Sequence, residues 1–221
     1  MTLYLGVDVA GANNTWAAVL SDEDGSLAFR LPPHSTSLPE IVSFADSNDV
    51  SAVAIDAQLT VSLSDLTGFR SSDMELRALL PDANRNWVAS VNSLMAVPVR
   101  GQMLAVSLST TVPTVIETHP RACLHFACGP SFDDAIMNYK REPGAADCVS
   151  RLWDSWSQSF GISGSLPELS DGALDAAVCA TIAYLCHTGP SRLYRLRHHN
   201  ADRTGHGPFV VLAPELKPTD G

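Results

Sequence analysis

The N-terminal part of the chain shows three short apolar runs separated by turn residues. The runs are Leu3–Val9, Thr15–Leu20 and Leu27–Leu31, with Gly11–Asn14 and Glu23–Gly25 between them. Apolar runs joined by brief connections that contain Gly, Asn or Asp are typical of antiparallel neighbours in a sheet. The pattern therefore predicts a three-stranded antiparallel meander.

The next segment changes to helical spacing. Residues 37–46 repeat apolar positions at intervals of three and four, with Ser37 as the expected N-cap and Pro39 in the first turn. A fourth apolar run, Ala52–Ala57, follows. Because a helix between two strands of one sheet forms a crossover, this fourth strand is expected to run parallel to one of the first three.

The remaining pattern alternates helices and strands and predicts an α/β protein. Ser72 and Glu75 are an expected capping box, and Pro81 is expected to end that helix. Helices are predicted at 70–77, 120–128, 147–160 and 171–187, strands at 112–118 and 209–212, loops at 58–69, 129–144 and 161–167, and a weak helical pattern at 90–97.

Acidic residues stand at the ends of several apolar runs. Asp8, Asp56 and Glu117 lie late in the first, fourth and fifth predicted strands, although acids are depleted in strands. Asp171 and Asp175 are four residues apart on the last predicted helix, so they share a face. Since functional groups of α/β sheets gather near the carboxyl ends of strands, we expect these acids to meet.

Charge repulsion determines what such a meeting requires. Four carboxylates about 5 Å apart repel by about 3 kcal/mol per pair at an effective dielectric near 20, or about 20 kcal/mol in all. That exceeds the net stability of a domain, so protons or cations must neutralise them. Oxygen-only ligand sets select hard cations, and the sequence therefore predicts a site for Mg²⁺ or Mn²⁺.

Each acid also has a structural alternative. In chain order these are a turn acid at Asp8, a strand-end acid at Asp56, an ion pair of Glu117 with Arg121, a helix N-cap at Asp171 and a first-turn dipole contact at Asp175.

Two accessory residues near the acids have open roles. His119 lies two residues after Glu117, on the same strand face, and either assists proton transfer or is structural. Arg70 has helical spacing with Asp73 and Arg77, and either holds a substrate phosphate or belongs to a surface ion-pair set.

Composition places the chain among globular proteins. Its 221 residues are 45% hydrophobic and 17% charged, which suits a single domain. No apolar run reaches the roughly 18 residues of a membrane span, and no basic residue precedes the first run as in a secretory signal. These features predict a cytoplasmic protein without membrane contact. Five cysteines without a C-x-x-C pair argue against a disulfide framework, and Cys123, His125 and Cys128 are a weaker metal-binding option.

The charge distribution is uneven. The net charge is −10, which makes the chain a poor general binder of phosphate backbones. A basic C-terminal extension nevertheless begins near residue 190, with Arg192, Arg195, Arg197 and Arg203. This segment is either a solvated helix end or a substrate-facing surface.

The acids belong to motifs that resemble the domain of unknown function 429 family, whose members are described as predicted nucleases of the ribonuclease H-like fold. The similar blocks occur in the family's order and are Gly6–Gly11 with Trp16, Ala54–Ala57, Arg70–Arg77, Val115–Pro120 and Asp171–Ala180. The resemblance implies one ribonuclease H-like domain over residues 1–221, in which helices flank a five-stranded mixed sheet.

The same resemblance implies a two-metal site. Asp8, Asp56, Glu117 and Asp175 would be its catalytic metal ligands, with Asp171 as a neighbour or substitute. Two departures from the family concern substrate contacts. Gln58 stands where the family commonly has proline, and the first loop, 12–14, lacks the usual glycine or basic residues.

The leading expectation is a metal-dependent nuclease that hydrolyses phosphodiester bonds in nucleic acid by a two-metal-ion mechanism. One alternative is an ATP-dependent phosphotransferase of the actin-like or sugar-kinase type, although the chain shows one opening motif and no second phosphate loop. The other is a catalytically silent ribonuclease H-like interaction protein. The sequence leaves open DNA or RNA as substrate, its structure, and the oligomeric state, including a homodimer.

Overall fold

The computed structural model of the chain describes residues 1–11, 14–23, 25–61, 67–94, 96–141, 143–197 and 204–214. Its elements in chain order are β1 (Thr2–Asp8), β2 (Thr15–Glu23), β3 (Ser26–Thr36), α1 (Leu38–Ser47), β4 (Val50–Asp56), β5 (Thr60–Val61), α2 (Ser71–Leu79), α3 (Val97–Leu108), β6 (Thr114–Glu117), α4 (Pro120–Cys128), α5 (Asp133–Asn138), α6 (Ala145–Phe160), β7 (Ile162–Ser163), α7 (Asp171–Thr188), β8 (Leu193–Arg195), β9 (Thr204–Gly205) and β10 (Val210–Leu212).

The main sheet is mixed and has the strand order β6-β4-β1-β2-β3-β7. Strands β1, β2 and β3 form the predicted antiparallel meander. Strand β4 pairs parallel with β1, and β6 pairs parallel with β4, as expected for strands reached through helical crossovers. The α/β class is therefore confirmed, but the sheet has six strands instead of five. The sixth, β7, adds two residues beside β3 in a segment predicted to be a linker.

Several helix predictions are confirmed. Ser37 caps α1 by accepting from the backbone N–H of Glu40, and Pro39 lies in the first turn. Helices α4, α6 and α7 begin and end within two residues of their predicted limits. In the described part of the chain, no helix is long and apolar enough to cross a membrane.

Three local predictions are wrong. Residues 129–144 were expected to be a loop but contain α5. The weak helical pattern at 90–97 does not form an α-helix, because α3 begins only at Val97. Gly101 of α3 is a poor helix former, but it is needed because a Cβ there would lie 2.5 Å from the Cβ of Ala57. Helix α2 is capped by Asp73, whose carboxylate accepts from the backbone N–H of Arg70, so Ser72 is not the N-cap.

The two faces of the sheet carry separate cores. Alternate residues of β1, such as Leu5 and Val7, pack with α1 and α3 on one face. Tyr4 and Ala54 pack with α4, α6 and α7 on the other. Because side chains alternate along a strand, Asp8 and Asp56 lie on the α7 face.

Candidate metal centre

The site begins with two carboxylates at the ends of neighbouring strands. Asp8 is the last residue of β1 and Asp56 the last residue of β4, and the two are register partners in the parallel pair. Register partners on adjacent strands project their side chains from the same face. Strand pairing therefore brings Asp8 and Asp56 side by side, as the sequence predicted.

Helix α7 brings the third carboxylate to this face. A Cβ added at Gly6 would lie 2.1 Å from the backbone nitrogen of Ala180 and 2.2 Å from the carbonyl oxygen of Ala176. The helix backbone therefore lies directly on β1, two residues before Asp8. Asp175 precedes this contact by one residue and is fully buried.

One oxygen from each of Asp8, Asp56 and Asp175 lies within 4.8 Å of the others. Asp8 and Asp56 are partly exposed, and Asp175 is buried. At an effective dielectric near 20, each ionised pair at this separation repels by about 3 kcal/mol. In the described residues this is the one group of three or more acids, histidines or cysteines with metal-ligand spacing, so Cys123, His125 and Cys128 do not form such a group.

Burial and mutual repulsion shift the titration of all three acids. Burial, with Asp175 and Asp56 nearby, raises the pKa of Asp8 well above its ordinary value. Burial raises the pKa of Asp56 to about 7, with Asp175 contributing and Lys140 opposing. Burial also raises the pKa of Asp175, against the opposing effect of Lys140. The three carboxyl groups therefore keep their protons to a higher pH than the same side chains would in water.

Two residues that sequence reasoning missed contact Asp175. The Tyr139 hydroxyl donates to Asp175 Oδ1 at 3.0 Å, and Lys140 Nζ donates to Asp175 Oδ2 at 2.5 Å. Tyr139 is buried, whereas 35% of the Lys140 side chain is exposed. Both follow α5, in the segment predicted as a loop. The one signal in the sequence was a pair of basic residues, Lys140 and Arg141, directly after an aromatic residue in an acidic chain.

Glu117 does not join the cluster, and strand register explains why. In the parallel pair of β4 and β6, Glu117 lies beside Ile55, whose side chain faces α1 and α3. Glu117 therefore projects from the opposite face to Asp56. Sequence position alone did not reveal this, because the offset between two parallel strands depends on their crossover.

Glu117 instead forms a buried ion network with Arg70. Arg70 Nη1 donates to Glu117 Oε2 at 2.8 Å, and Arg70 Nη2 donates to Asp73 Oδ1 at 2.6 Å. The backbone N–H of Leu59 donates to Glu117 Oε2 at 2.8 Å. Burial opposes the charge of Arg70, but Glu117 and Asp73 outweigh burial and raise the pKa of Arg70. The alternatives of a Glu117–Arg121 pair and of a surface ion-pair set at Arg70 are wrong.

Asp171 lies in the first turn of α7, outside the group of three. It is close enough to raise the pKa of Asp8 and Asp175, although burial is the larger cause for both. The N-cap is Ser170, whose side chain accepts from Ala173 N–H at 3.3 Å, so the N-cap alternative for Asp171 is wrong. The exposed-dipole alternative for Asp175 is also wrong, because Asp175 is buried.

His119 has both ring nitrogens engaged. Nδ1 accepts from the backbone N–H of Ala122 at 3.3 Å, which caps α4, and Nε2 donates to the carbonyl of Trp87 at 3.2 Å. Burial lowers the pKa of His119 to about 4. A neutral ring with both nitrogens bonded favours the structural role over proton transfer.

A cavity of about 240 Å³ opens beside the carboxylates. Asp8, Asp56 and Lys140 lie on its wall, together with Arg70 and Glu117 from the ion network. None of the described arginines of the basic extension lines this cavity. Arg197 Nε lies 3.6 Å from Glu75 Oε1, and the Arg192 guanidinium stacks on the Phe160 ring. His198–Arg203 and the loop positions 12 and 13 lie outside the described residues, so a substrate role for the extension stays a prediction.

The three carboxylates fit a hard divalent cation. They offer oxygen donors alone, which Mg²⁺ and Mn²⁺ accept. Two oxygens bound to one Mg²⁺ at about 2.1 Å are at most about 4.2 Å apart. The observed limit of 4.8 Å is close to this span, so small side-chain rotations would place all three oxygens on one ion.

The chain is an α/β protein with a mixed sheet, and three carboxylates converge at the carboxyl ends of its interior strands β1 and β4. The family model described as Protein of unknown function (DUF429) matches residues 6–113, just under half of the chain. The matched family is the one that the motifs resemble. The match includes Asp8 and Asp56 and ends before Asp175. No curated protein and no solved structure matches the chain.

Proposed function

We propose that the chain is a metal-dependent nuclease, with Asp8, Asp56 and Asp175 holding Mg²⁺ or Mn²⁺. The observation that carries this proposal is the convergence of three carboxylates within 4.8 Å at the carboxyl ends of β1 and β4, where Asp8 and Asp56 line a cavity. Carboxylates so close together are costly unless they are protonated or bind a cation. When bound, such a cation activates water and stabilises charge on phosphate oxygens.

The chain's own residues supply orientation and charge. Strand pairing fixes Asp8 and Asp56 side by side, and Tyr139 fixes the rotamer of Asp175. Lys140 contributes a cation beside Asp175, and its partly exposed side chain can turn toward a phosphate oxygen of the substrate. These groups bind and position a substrate without any of them acting as the nucleophile.

In this proposal Glu117 is a positioning residue. Its two oxygens are occupied by Arg70 and by the N–H of Leu59. To bind a cation, Glu117 would have to leave a buried arginine, which is costly because the guanidinium would lose a partner away from water. The pair instead ties the end of β6 to α2 at the wall of the cavity.

One observation favours the alternative of a catalytically silent protein. The ammonium of Lys140 already neutralises Asp175, so the cluster needs less charge from a metal. Metal binding separates the two functions. A nuclease requires Mn²⁺ or Mg²⁺ to bind at the three acids, whereas a silent protein does not.

The test combines binding and cleavage on the full chain. Mn²⁺ affinity is measured by calorimetry for the wild type, for Asp8→Asn and for the exposed control Asp46→Asn. Cleavage of single-stranded, duplex, hybrid and branched nucleic acids is then assayed with Mg²⁺ and with Mn²⁺. We expect the wild type and the control to bind Mn²⁺ and cleave, and Asp8→Asn to do neither while remaining folded. Cleavage that survives in Asp8→Asn or in excess chelator would overturn the proposal.

A further inference from the structure

The outer face of α3 is apolar, although α3 already buries its inner face in the core. Leu104 and Leu108 pack with the strands of the sheet. Val99, Met103 and Val106 are 58%, 63% and 54% exposed. They are three of the six exposed large hydrophobic residues in the described part of the chain. Since a helix that is apolar on all sides is normally buried on all sides, we expect a partner to cover this face.

The exposed residues of α3 have the spacing of a helix–helix contact. Ala96, Val99, Met103, Val106 and Thr110 are all exposed, and they recur at alternating intervals of three and four. We call this set the α3 stripe. Such spacing keeps side chains in one line along a helix and is typical of helices that pack side by side. At 1.5 Å per residue, the α3 stripe is about 21 Å long.

A groove between α1 and α3 continues this surface. Its volume is about 500 Å³, and it is lined by Leu38, Pro39 and Val42 of α1 and by Met103 of α3. Asp46 is the one charged residue on its wall among the residues that the structure describes. A second helix that lies along the α3 stripe would therefore also cover apolar surface of α1.

Charge restricts the kind of partner that fits. The chain has 24 acidic and 14 basic residues, but α3 contains no acid and a single base, Arg100. Arg100 Nε donates to the carbonyl of Ala10 at 3.0 Å and Nη2 donates to Thr15 Oγ1 at 3.3 Å, so its charge is held near the end of β1. Nucleic acids and anionic membranes bind through Lys and Arg, which the α3 stripe does not contain. The partner that fits is a neutral apolar helix face.

The α3 stripe is itself such a face, and it is nearly symmetric about Met103. In an antiparallel pair with a two-fold axis at Met103, each residue faces the one at the same distance on the other side of the partner's Met103. Val106 then lies near Val99 of the partner subunit, and Thr110 lies near Ala96 of the partner subunit. Large side chains meet large ones, small side chains meet small ones, and no acid of one α3 meets an acid of the other. A two-fold interface requires this kind of self-complementarity.

We propose that two copies of the chain associate through α3 as an antiparallel two-fold dimer, with Met103 packed against Met103 of the partner subunit. The α3 stripe lies on the sheet face opposite to α7 and contains none of the residues that line the cavity beside the carboxylates. The dimer is thus an interaction surface separate from the proposed metal centre, and it does not depend on the proposed nuclease function.

The test is the oligomeric state of the full chain, measured by sedimentation velocity in chelator. Concentrations run from about 0.1 to 100 μM, since protein interfaces of the usual size have micromolar or tighter affinity. We expect a monomer–dimer equilibrium for the wild type. Met103→Glu places two carboxylates together at the axis and should weaken the dimer by about a hundredfold or more. The control is Met74→Glu, at a methionine of α2 that is 53% exposed, and it should change the affinity by less than about twofold.

A charge-pair design tests the antiparallel arrangement. Val99→Lys or Val106→Glu alone places a charge against an apolar side chain and should weaken the dimer. Because Val99 lies near Val106 of the partner subunit, the double variant forms two Lys–Glu pairs across the interface. We expect it to recover about tenfold of the lost affinity. All of these positions are exposed in the monomer, so the substitutions leave the folded chain intact.

Three results would overturn the proposal. The first is a wild type that stays monomeric at the highest concentration, which would leave α3 to a different partner. The second is a dimer that is as stable in Met103→Glu as in Met74→Glu, which would place the contact on another surface. The third is a double variant that associates no better than its single variants, which would exclude the antiparallel pairing. Because the chelator removes metal from the carboxylates, none of these results depends on whether the chain is a nuclease.

Discussion

Gly6 and Ala180 are in backbone contact across the interface of β1 and α7, because a Cβ on Gly6 would lie 2.1 Å from the Ala180 nitrogen. A methyl group there meets backbone atoms, which cannot rotate away. Overpacking of this kind costs about 1–3 kcal/mol. We therefore expect Gly6→Ala to lower the free energy of unfolding by about 3 kcal/mol in urea denaturation and to weaken Mn²⁺ binding by displacing Asp175.

Gly11→Ala is the matched control, because a Cβ at Gly11 would have no atom within 4 Å. It should change the free energy of unfolding by less than about 0.5 kcal/mol. If Gly6→Ala were as harmless as Gly11→Ala, the close approach of α7 to β1 would be wrong.

The second prediction concerns metal and thermal stability. Mn²⁺ at about 100 times its Kd should stabilise the native state by about 2.7 kcal/mol, which raises the Tm by roughly 5–10 °C for a chain of this size. Asp56→Asn should reduce that rise, yet it should increase the Tm of the metal-free protein by removing one repelling carboxylate. Calorimetric scans with and without Mn²⁺ measure both effects. An equal rise in wild type and Asp56→Asn would argue that the ion binds elsewhere.

How far the sequence predicted this site depends on strand direction and register. Asp8 and Asp56 were found because both end apolar runs whose parallel pairing follows from the intervening helix. Asp175 was found because it lies near the start of a long apolar stretch that is typical of a helix. The exclusion of Glu117 depends on a one-residue offset that places it beside Ile55, and neither composition nor periodicity encodes that offset. Lys140 was missed because α5 is a short helix whose position is set by tertiary packing.

The third prediction concerns the pH dependence of the metal-free protein. The folded pKa of Asp56 is about 7, above the unfolded value of 3.8, and the pKa of Asp8 is also raised. Between these values the native state binds more protons than the unfolded state, so stability falls as pH rises from about 4 to about 7. The slope is at most about 1.4 kcal/mol per pH unit for each group. Urea denaturation across this range should show the fall, and Asp56→Asn should reduce it. Stability that rises steadily with pH would contradict the raised pKa values.

The fourth prediction concerns the buried ion network of Arg70, Asp73 and Glu117 at the cavity wall. Arg70→Ala would leave Glu117 and Asp73 buried without their cation, which typically costs about 3–5 kcal/mol. The free energy of unfolding in urea measures this cost. Arg85→Ala is the comparison, because Arg85 pairs with Asp82 on the surface and such pairs contribute about 0–1 kcal/mol. Similar losses for the two variants would show that the Arg70 network is solvated in solution.

The last prediction concerns Lys140, whose ammonium competes with a cation for Asp175. Lys140→Met removes a positive charge 2.5 Å from one carboxylate oxygen and leaves the aliphatic stem in place. Because the ammonium repels a dication and occupies a ligand oxygen, we expect Lys140→Met to bind Mn²⁺ more tightly, by about tenfold or more in calorimetry. Cleavage should nevertheless slow, since the proposed contact from Lys140 to a substrate phosphate is lost. Arg141→Met, an exposed cation on the next residue, should alter neither quantity by more than about twofold. Weaker Mn²⁺ binding in Lys140→Met would mean that the lysine orients Asp175 for the metal instead of competing with it.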